Sequence, residues 1–183
     1  ERERIFCKRR MHGAYYERAE GWTGNSKSGS AARMINFGAQ YYRPPFPNST
    51  RWKSDLAAMK ASGLNCVQLW VVWGWVEARP GKFDFSDYDK LIEIASKSGL
   101  KVVLSLIAEV HPLWIHREAP GSELVNHLGQ KVLSESRNEC HFGLTPGGCF
   151  DHPEVWRRMS AFIRETVKRY KSRKCVEIGR AHV

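Results

Sequence analysis

The chain has 183 residues, 42% hydrophobic and 26% charged, which is room for one domain with a core, and no apolar run approaches the ~18 residues of a membrane span. Of the formal charge of +10, residues 1–33 carry a net +4 and residues 173–183 a net +2. The long middle segment is only mildly basic, without the aromatic-studded basic stripe that nucleic-acid binding requires, so nucleic acid and membrane are both excluded as expected partners.

Residues 1–33 follow neither helical nor strand periodicity, lack the apolar stretch of a secretory leader and include the linker-like run 24–30. They are expected to be a disordered or non-native extension, with Met34 as the natural start. A first strand is expected within Met34 to Tyr42. The first helix is expected to begin near Ser49 or Thr50 as N-cap, to turn Trp52, Leu56 and Met59 inward and to stop at Gly63. A second strand follows over Asn65 to Trp70, and then a loop holding Trp73, Trp75 and Glu77. The second helix is expected from Ser86, with Asp89 completing an approximate capping box, Leu91, Ile92 and Ala95 inward, and Gly99 as its stop. A third strand spans Lys101 to Ile107, and a long connection runs from Ala108 to Phe150. The third helix is expected after Asp151 as N-cap, with the stripe Val155, Met159, Phe162, Ile163 and Val167. It is expected to be the last native element. Ile178 to Val183 read as the translation of a common sequencing adapter, which makes 173–183 an expected artefactual tail and 34–172 the domain.

The two helix stops nearly repeat: Ala61-Ser62-Gly63-Leu64-Asn65 and Lys97-Ser98-Gly99-Leu100-Lys101, 36 residues apart, each ahead of a β-branched run. A repeated strand–helix unit implies parallel strands joined by right-handed crossovers. A (β/α)8 barrel averages roughly 31 residues per unit. An open doubly wound sheet gives the same local pattern, but Tyr41-Tyr42-Arg43-Pro44-Pro45 stands where its glycine fingerprint would be. The expected class is therefore α/β, a partial (β/α)8 TIM barrel of about the first three β/α units.

In such a barrel the active face is built by the loops at the C-terminal strand ends. Those ends carry an unusual density of aromatic and polar side chains. Large flat indoles with a polar N–H edge suit a ring-shaped, hydroxylated ligand. The expected substrate-binding residues are Tyr42, Arg43, Trp70, Trp73, Trp75, Glu109, His111 and Trp114. Burial of two of the three clustered indoles in the core is the competing reading. Arg43 either reaches a sugar hydroxyl or pairs with an acid across the mouth, and Glu77 either touches ligand or fixes its loop through a salt bridge. His111 and His116, five residues apart, lack metal-ligand spacing. The five cysteines form no Cys-x-x-Cys motif, so neither metal nor cofactor is expected. Cys140 and Cys149 share a loop, where pairing and metal binding both stay open. Reduced thiols are the default, consistent with an expected cytoplasmic location.

The runs Gly38-Ala-Gln-Tyr-Tyr-Arg-Pro-Pro, Gly63-Leu-Asn-Cys-Val-Gln-Leu-Trp, Trp73-Gly-Trp-Val-Glu and Pro80-Gly-Lys-Phe-Asp-Phe-Ser resemble the N-terminal part of glycoside hydrolase family 42. The segment from Cys140 to Val155 keeps the same register. The resemblance implies a retaining β-galactosidase on a (β/α)8 barrel, acting on terminal β-D-galactosides, with a homo-oligomer possible for the full enzyme. It places the acid/base Glu after an Asn at the end of strand four and the nucleophile Glu at the end of strand seven. Neither motif is present here, so no catalytic residue is assigned and the chain alone is expected to be inactive. Glu109 is expected to contact or orient sugar instead of acting as a catalytic carboxylate. The alternatives are another glycosidase family of the same clan, or a non-catalytic carbohydrate-binding protein on this scaffold.

Overall fold

A computed structural model describes residues 35–132, 135–136 and 143–182, with side chains described except at 135–136 and 178–182. The expectations for residues 1–33, Met34 and Cys140 lie outside the described residues. The elements are β1 (Gly38–Tyr42), a 3-10 turn (Ser49–Arg51), α1 (Trp52–Ala61), β2 (Cys66–Val72), α2 (Trp73–Val76), α3 (Ser86–Lys97) and β3 (Lys101–Ile107). After these come α4 (Ile115–Glu118), β4 (Glu135–Ser136), β5 (Leu144–Thr145), α5 (Pro153–Tyr170) and β6 (Val176–His182). The main sheet has the order β1-β2-β3-β6, and all three of its pairings are parallel.

Both repeated glycines close their helices as expected. Gly63 and Gly99 have φ of +88° and +70°, which only glycine adopts without strain. The helix starts differ from expectation. Asn48, rather than Ser49 or Thr50, caps the first helical segment, its Oδ1 accepting from the Thr50 amide at 3.0 Å. Asp89 completes no capping box; it binds the Arg169 guanidinium (Nε to Oδ1 3.0 Å) and accepts from the Tyr170 hydroxyl at 3.0 Å, tying α3 to α5. Asp151 is not the cap of α5, because Pro153 at the first helical position puts His152 there instead. One more element follows α5. Val176 to His182 form a fourth parallel strand, which satisfies the backbone edge that β3 would otherwise expose.

Strand alternation splits the sheet's two faces. Val67, Leu69 and Val71 of β2 and Val102, Leu104 and Leu106 of β3 are buried with Leu56, Leu91, Ile92 and Phe162 of the helices in one core. The other face is the barrel interior. There Gln68 donates to Ser105 Oγ at 2.6 Å, and Val72 and Ile107 pack with Trp70.

The second strand runs two residues past its expected end, since Val71 and Val72 pair with Leu106 and Ile107. This extension leaves β2 taller than β1, whose pairing stops at Tyr42 opposite Leu69 after a register shift. The Trp70 carbonyl and the Val72 amide point toward the side β1 has vacated, and the fully buried Tyr88 of α3 takes its place. Its hydroxyl donates to Trp70 O at 2.8 Å and accepts from Val72 N at 3.2 Å. Tyr88→Phe is therefore expected to leave two backbone groups without their partner and to cost about 1–3 kcal/mol. Urea unfolding of the two proteins measures this, and an unchanged midpoint would refute the role of the hydroxyl.

Candidate sugar-binding site

The expected site residues fall into two groups that the sequence could not separate. Tyr42 and Trp70 lie on the barrel-interior side at the C-terminal ends of β1 and β2, with ring centroids 5.0 Å apart. Tyr42 achieves this with φ of +72°, a left-handed conformation uncommon for a residue with a side chain. The Arg43 guanidinium sits 4.0 Å from the centroid of the Tyr42 ring, a cation–π contact. Glu109, two residues past β3, is exposed at the same end of the sheet. Trp75 is half-buried and packs with Trp70 against Val72 and Ile107. The Tyr42–Trp70 ring pair, the buried Arg43 against Tyr42 and the exposed Glu109 thus share the C-terminal end of the sheet.

Trp73, His111 and Trp114 form the second group, which is packed into the core. Trp73 is 0% exposed and is stacked on Phe162 of α5 at 6.2 Å, edge-on to Trp114 at 6.4 Å and against His111 at 4.9 Å. The reason is that Val72 ends the strand and α2 begins at once, so the first indole of Trp73-Gly-Trp rotates onto the helix layer while Trp75 turns out. The competing reading put two of the three clustered indoles in the core; Trp73 alone is fully buried, and Trp70 and Trp75 are half-buried.

Glu77 joins this buried group and fixes its loop through hydrogen bonds from N–H groups, where a salt bridge was the expected means. It is 2% exposed, and its two oxygens accept from Trp73 Nε1 at 2.6 Å and from the Gly81 amide at 2.7 Å. Its backbone carbonyl accepts from Trp114 Nε1 at 2.7 Å, which binds the second loop to the third. Burial pushes the carboxyl above the ordinary carboxylate range, partly offset by the two N–H donors and by Arg158 and Arg157. Both partners are donors, so Glu77→Gln would present an NH2 to one of them. We expect that variant to lose about 1–3 kcal/mol in thermal or urea melts. Equal stability of the two proteins would show that the carboxylate is not needed.

His111 is the keystone of the third connection. Its ring lies between Trp73 and Phe150, 4.9 Å from each centroid, and its Nδ1 accepts from the Gly148 amide at 2.9 Å. The imidazole must therefore be neutral, with its proton on Nε2. Burial lowers its pKa to about 4, helped by the neighbouring His116. A β-carbon built on Gly147 would lie 2.1 Å from His111 Cγ, so this close approach requires glycine. Backbone bonds pair His111 with Leu144 in both directions, at 3.0 and 2.8 Å. Such pairing gives the connection an internal order that its composition did not predict. Among the described residues no three His, Cys, Asp or Glu side chains are grouped to hold a metal ion. Glu177, the acid of β6, sits at that strand's N-terminal end with Lys101 at 3.0 Å and Asn36 at 3.1 Å, the end opposite the site.

The family model described as beta-galactosidase, glycoside hydrolase family 42, matches residues 41–178. The chain belongs to glycoside hydrolase family 42. It is 28% identical over 133 residues to a beta-galactosidase of Heyndrickxia coagulans, covering 72% of this chain and 19% of that protein. A Bos taurus beta-galactosidase is 37% identical over 81 residues, covering 43% of this chain and 12% of the relative. Among solved structures, a beta-galactosidase from the haloarchaeon Halorubrum lacusprofundi superposes with a TM-score of 0.67 at 25% identity, covering 80% of this chain and 20% of the other. One from the psychrophilic Marinomonas ef1 gives a TM-score of 0.65 at 22% identity, over 78% of this chain and 20% of the other, and so shares the fold. The chain spans about a fifth of the length of the Heyndrickxia and Halorubrum relatives. The sheet is thus the opening portion of a family 42 TIM barrel: three β/α units and a fourth strand. No described helix is long and apolar enough to cross a membrane.

Proposed function

We propose that this chain supplies the N-terminal wall of the sugar site in a retaining β-galactosidase that hydrolyses terminal β-D-galactosides. The carrying observation is the Tyr42–Trp70 ring pair at the C-terminal ends of adjacent strands, with Arg43 against Tyr42 and Glu109 exposed at the same end of the sheet. A galactose ring offers an apolar C–H face to such a wall and hydroxyls to the charged groups.

The catalytic pair must come from elsewhere in the enzyme. Retaining hydrolysis requires two carboxyl groups about 5–5.5 Å apart flanking the scissile bond. Glu77 is excluded from that pair because both its oxygens are occupied by N–H donors inside the core. Glu109 then has no partner carboxylate on the interior side of the described strand ends. The 183-residue chain is expected to bind methyl β-galactoside without hydrolysing a nitrophenyl β-galactoside. Trp70→Ala is expected to weaken binding about tenfold, equivalent to ~1.4 kcal/mol. Turnover by the chain, or undiminished calorimetric affinity in the variant, would refute this reading.

A further inference from the structure

The helix layer outside the sheet ends on an open flank of α5. The other flank of α5 is occupied: Arg169 and Tyr170 bind Asp89 of α3, Phe162 stacks on Trp73, and Arg158 pairs with Glu118 at 3.2 Å. The open flank is a groove of about 680 Å³ with Met159, Ile163 and Val167 along its floor and Trp156 at one end. These residues recur at the three- and four-residue spacing of a single helix face. Met159 belongs to the core, whereas the Trp156 indole is 57% exposed.

Three observations narrow what can cover this groove. First, its rim has one sign of charge: Arg164, Lys168 and Lys171 line it, and no acid does among the described residues. The side chains of these three cations make no hydrogen bond or ion pair among the described residues. Covering the groove takes water from them, and a charge so covered needs a partner of opposite sign. Second, that rim excludes a second copy of the chain, since two such grooves face to face would set cation against cation. Third, the topology points to a helix of the same enzyme. α5 is the crossover from β3 to the parallel β6, and such crossovers are right-handed and return over one face of the sheet. A chain continuing from β6 to a further parallel strand lays its helix beside α5, on the flank away from α3. The Heyndrickxia relative, of which this chain covers 19%, has the length to supply one.

We propose that the α5 groove seats the helix following β6 in the full-length enzyme, and that this helix carries Asp and Glu along both borders of an apolar stripe. The stripe packs ridge into groove on Met159, Ile163 and Val167 against the Trp156 indole, and the acids pair with Arg164, Lys168 and Lys171. Assignment to the enzyme's own helix rests on the reading of this chain as one part of a longer galactosidase.

The test is fluorescence anisotropy of a labelled synthetic helix titrated with the 183-residue chain. The peptide is about 18 residues long, the length of α5, with leucines at helical spacing bordered by glutamates. A control peptide has lysine in place of every glutamate. The acidic peptide is expected to bind about tenfold more tightly than the control at low salt, and to lose most of that preference at about 0.5 M salt. Arg164→Glu combined with Lys168→Glu, both at exposed positions, should reverse the preference, and Trp156→Ala should weaken the acidic peptide in the unmutated background. Equal binding of the two peptides, or none, overturns the proposal. So does a concentration-dependent dimer of the chain that Trp156→Ala abolishes, or binding to phosphatidylserine vesicles by a chain that ignores the acidic peptide. If the acidic peptide binds as expected while the chain alone turns over a nitrophenyl β-galactoside, the groove stands and its assignment to a missing helix of the same enzyme falls.

Discussion

Replacing Trp73 with alanine is expected to destabilise the chain by about 3–5 kcal/mol, the usual cost of removing a large aromatic side chain from a packed core. Whole-domain stability is only about 5–15 kcal/mol, so the variant should be largely unfolded at modest denaturant. The location of the loss matters as much as its size. Trp73 touches three separate segments: Phe162 of α5, His111 and Trp114 of the third connection, and Glu77 of its own loop. Its removal leaves the Glu77 carboxylate buried without one of its two N–H donors, adding a polar penalty to the cavity. Trp70→Ala provides the contrast. That indole packs on the barrel-interior side, against Tyr42, Val72 and Ile107, and its loss should impair ligand binding far more than folding. Urea unfolding of both variants checks the pair of expectations. Similar losses of stability would mean that the split between core indole and ligand indole is wrong.

That split also marks the limit of what the sequence revealed. The repeat of helix stops was legible because Gly63 and Gly99 answer a local demand, a left-handed backbone after the last helical turn. Parallel pairing followed from the repeat; β3 lies at its expected bounds and β2 within two residues of them, while β1 takes only the last five residues of the run Met34 to Tyr42. The roles of the three indoles were not legible, since Trp70, Trp73 and Trp75 differ by rotations that depend on where the strand stops. A shift of that end from Trp70 to Val72 moved Trp73 from the mouth into the helix layer. Glu77 had a recognisable signal, an acid four residues after a Trp and four before the glycine of a turn, which is the spacing its two hydrogen bonds span. Tyr88 had none. Its role arises from the height difference between β1 and β2, which is a property of the sheet and not of any local run.

Acid should loosen the third connection through His111. The ring's folded pKa of about 4 lies below the ordinary histidine value of 6.5, so the unfolded chain binds the proton more readily. The stabilising contribution of the neutral imidazole is complete above pH 6.5 and is lost as pH falls toward 4. Between pH 7 and pH 4 the expected loss is about 3 kcal/mol. Its physical origin is that a protonated ring cannot accept from the Gly148 amide and would carry a charge between Trp73 and Phe150. Glu77 acts in the opposite direction over an overlapping range. Its raised folded pKa means that the cost of burying its charge is present at neutral pH and relieved as the carboxyl protonates. A pH profile of the unmodified chain therefore mixes two opposing slopes. The difference between that profile and the profile of His111→Gln cancels the Glu77 part, because glutamine can still accept from Gly148 but does not titrate. The difference curve should fall by about 3 kcal/mol from pH 7 to pH 4, whatever the absolute stability of either protein. A flat curve would mean that the loop pairing between His111 and Leu144, rather than the imidazole, holds the third connection against the mouth of the barrel.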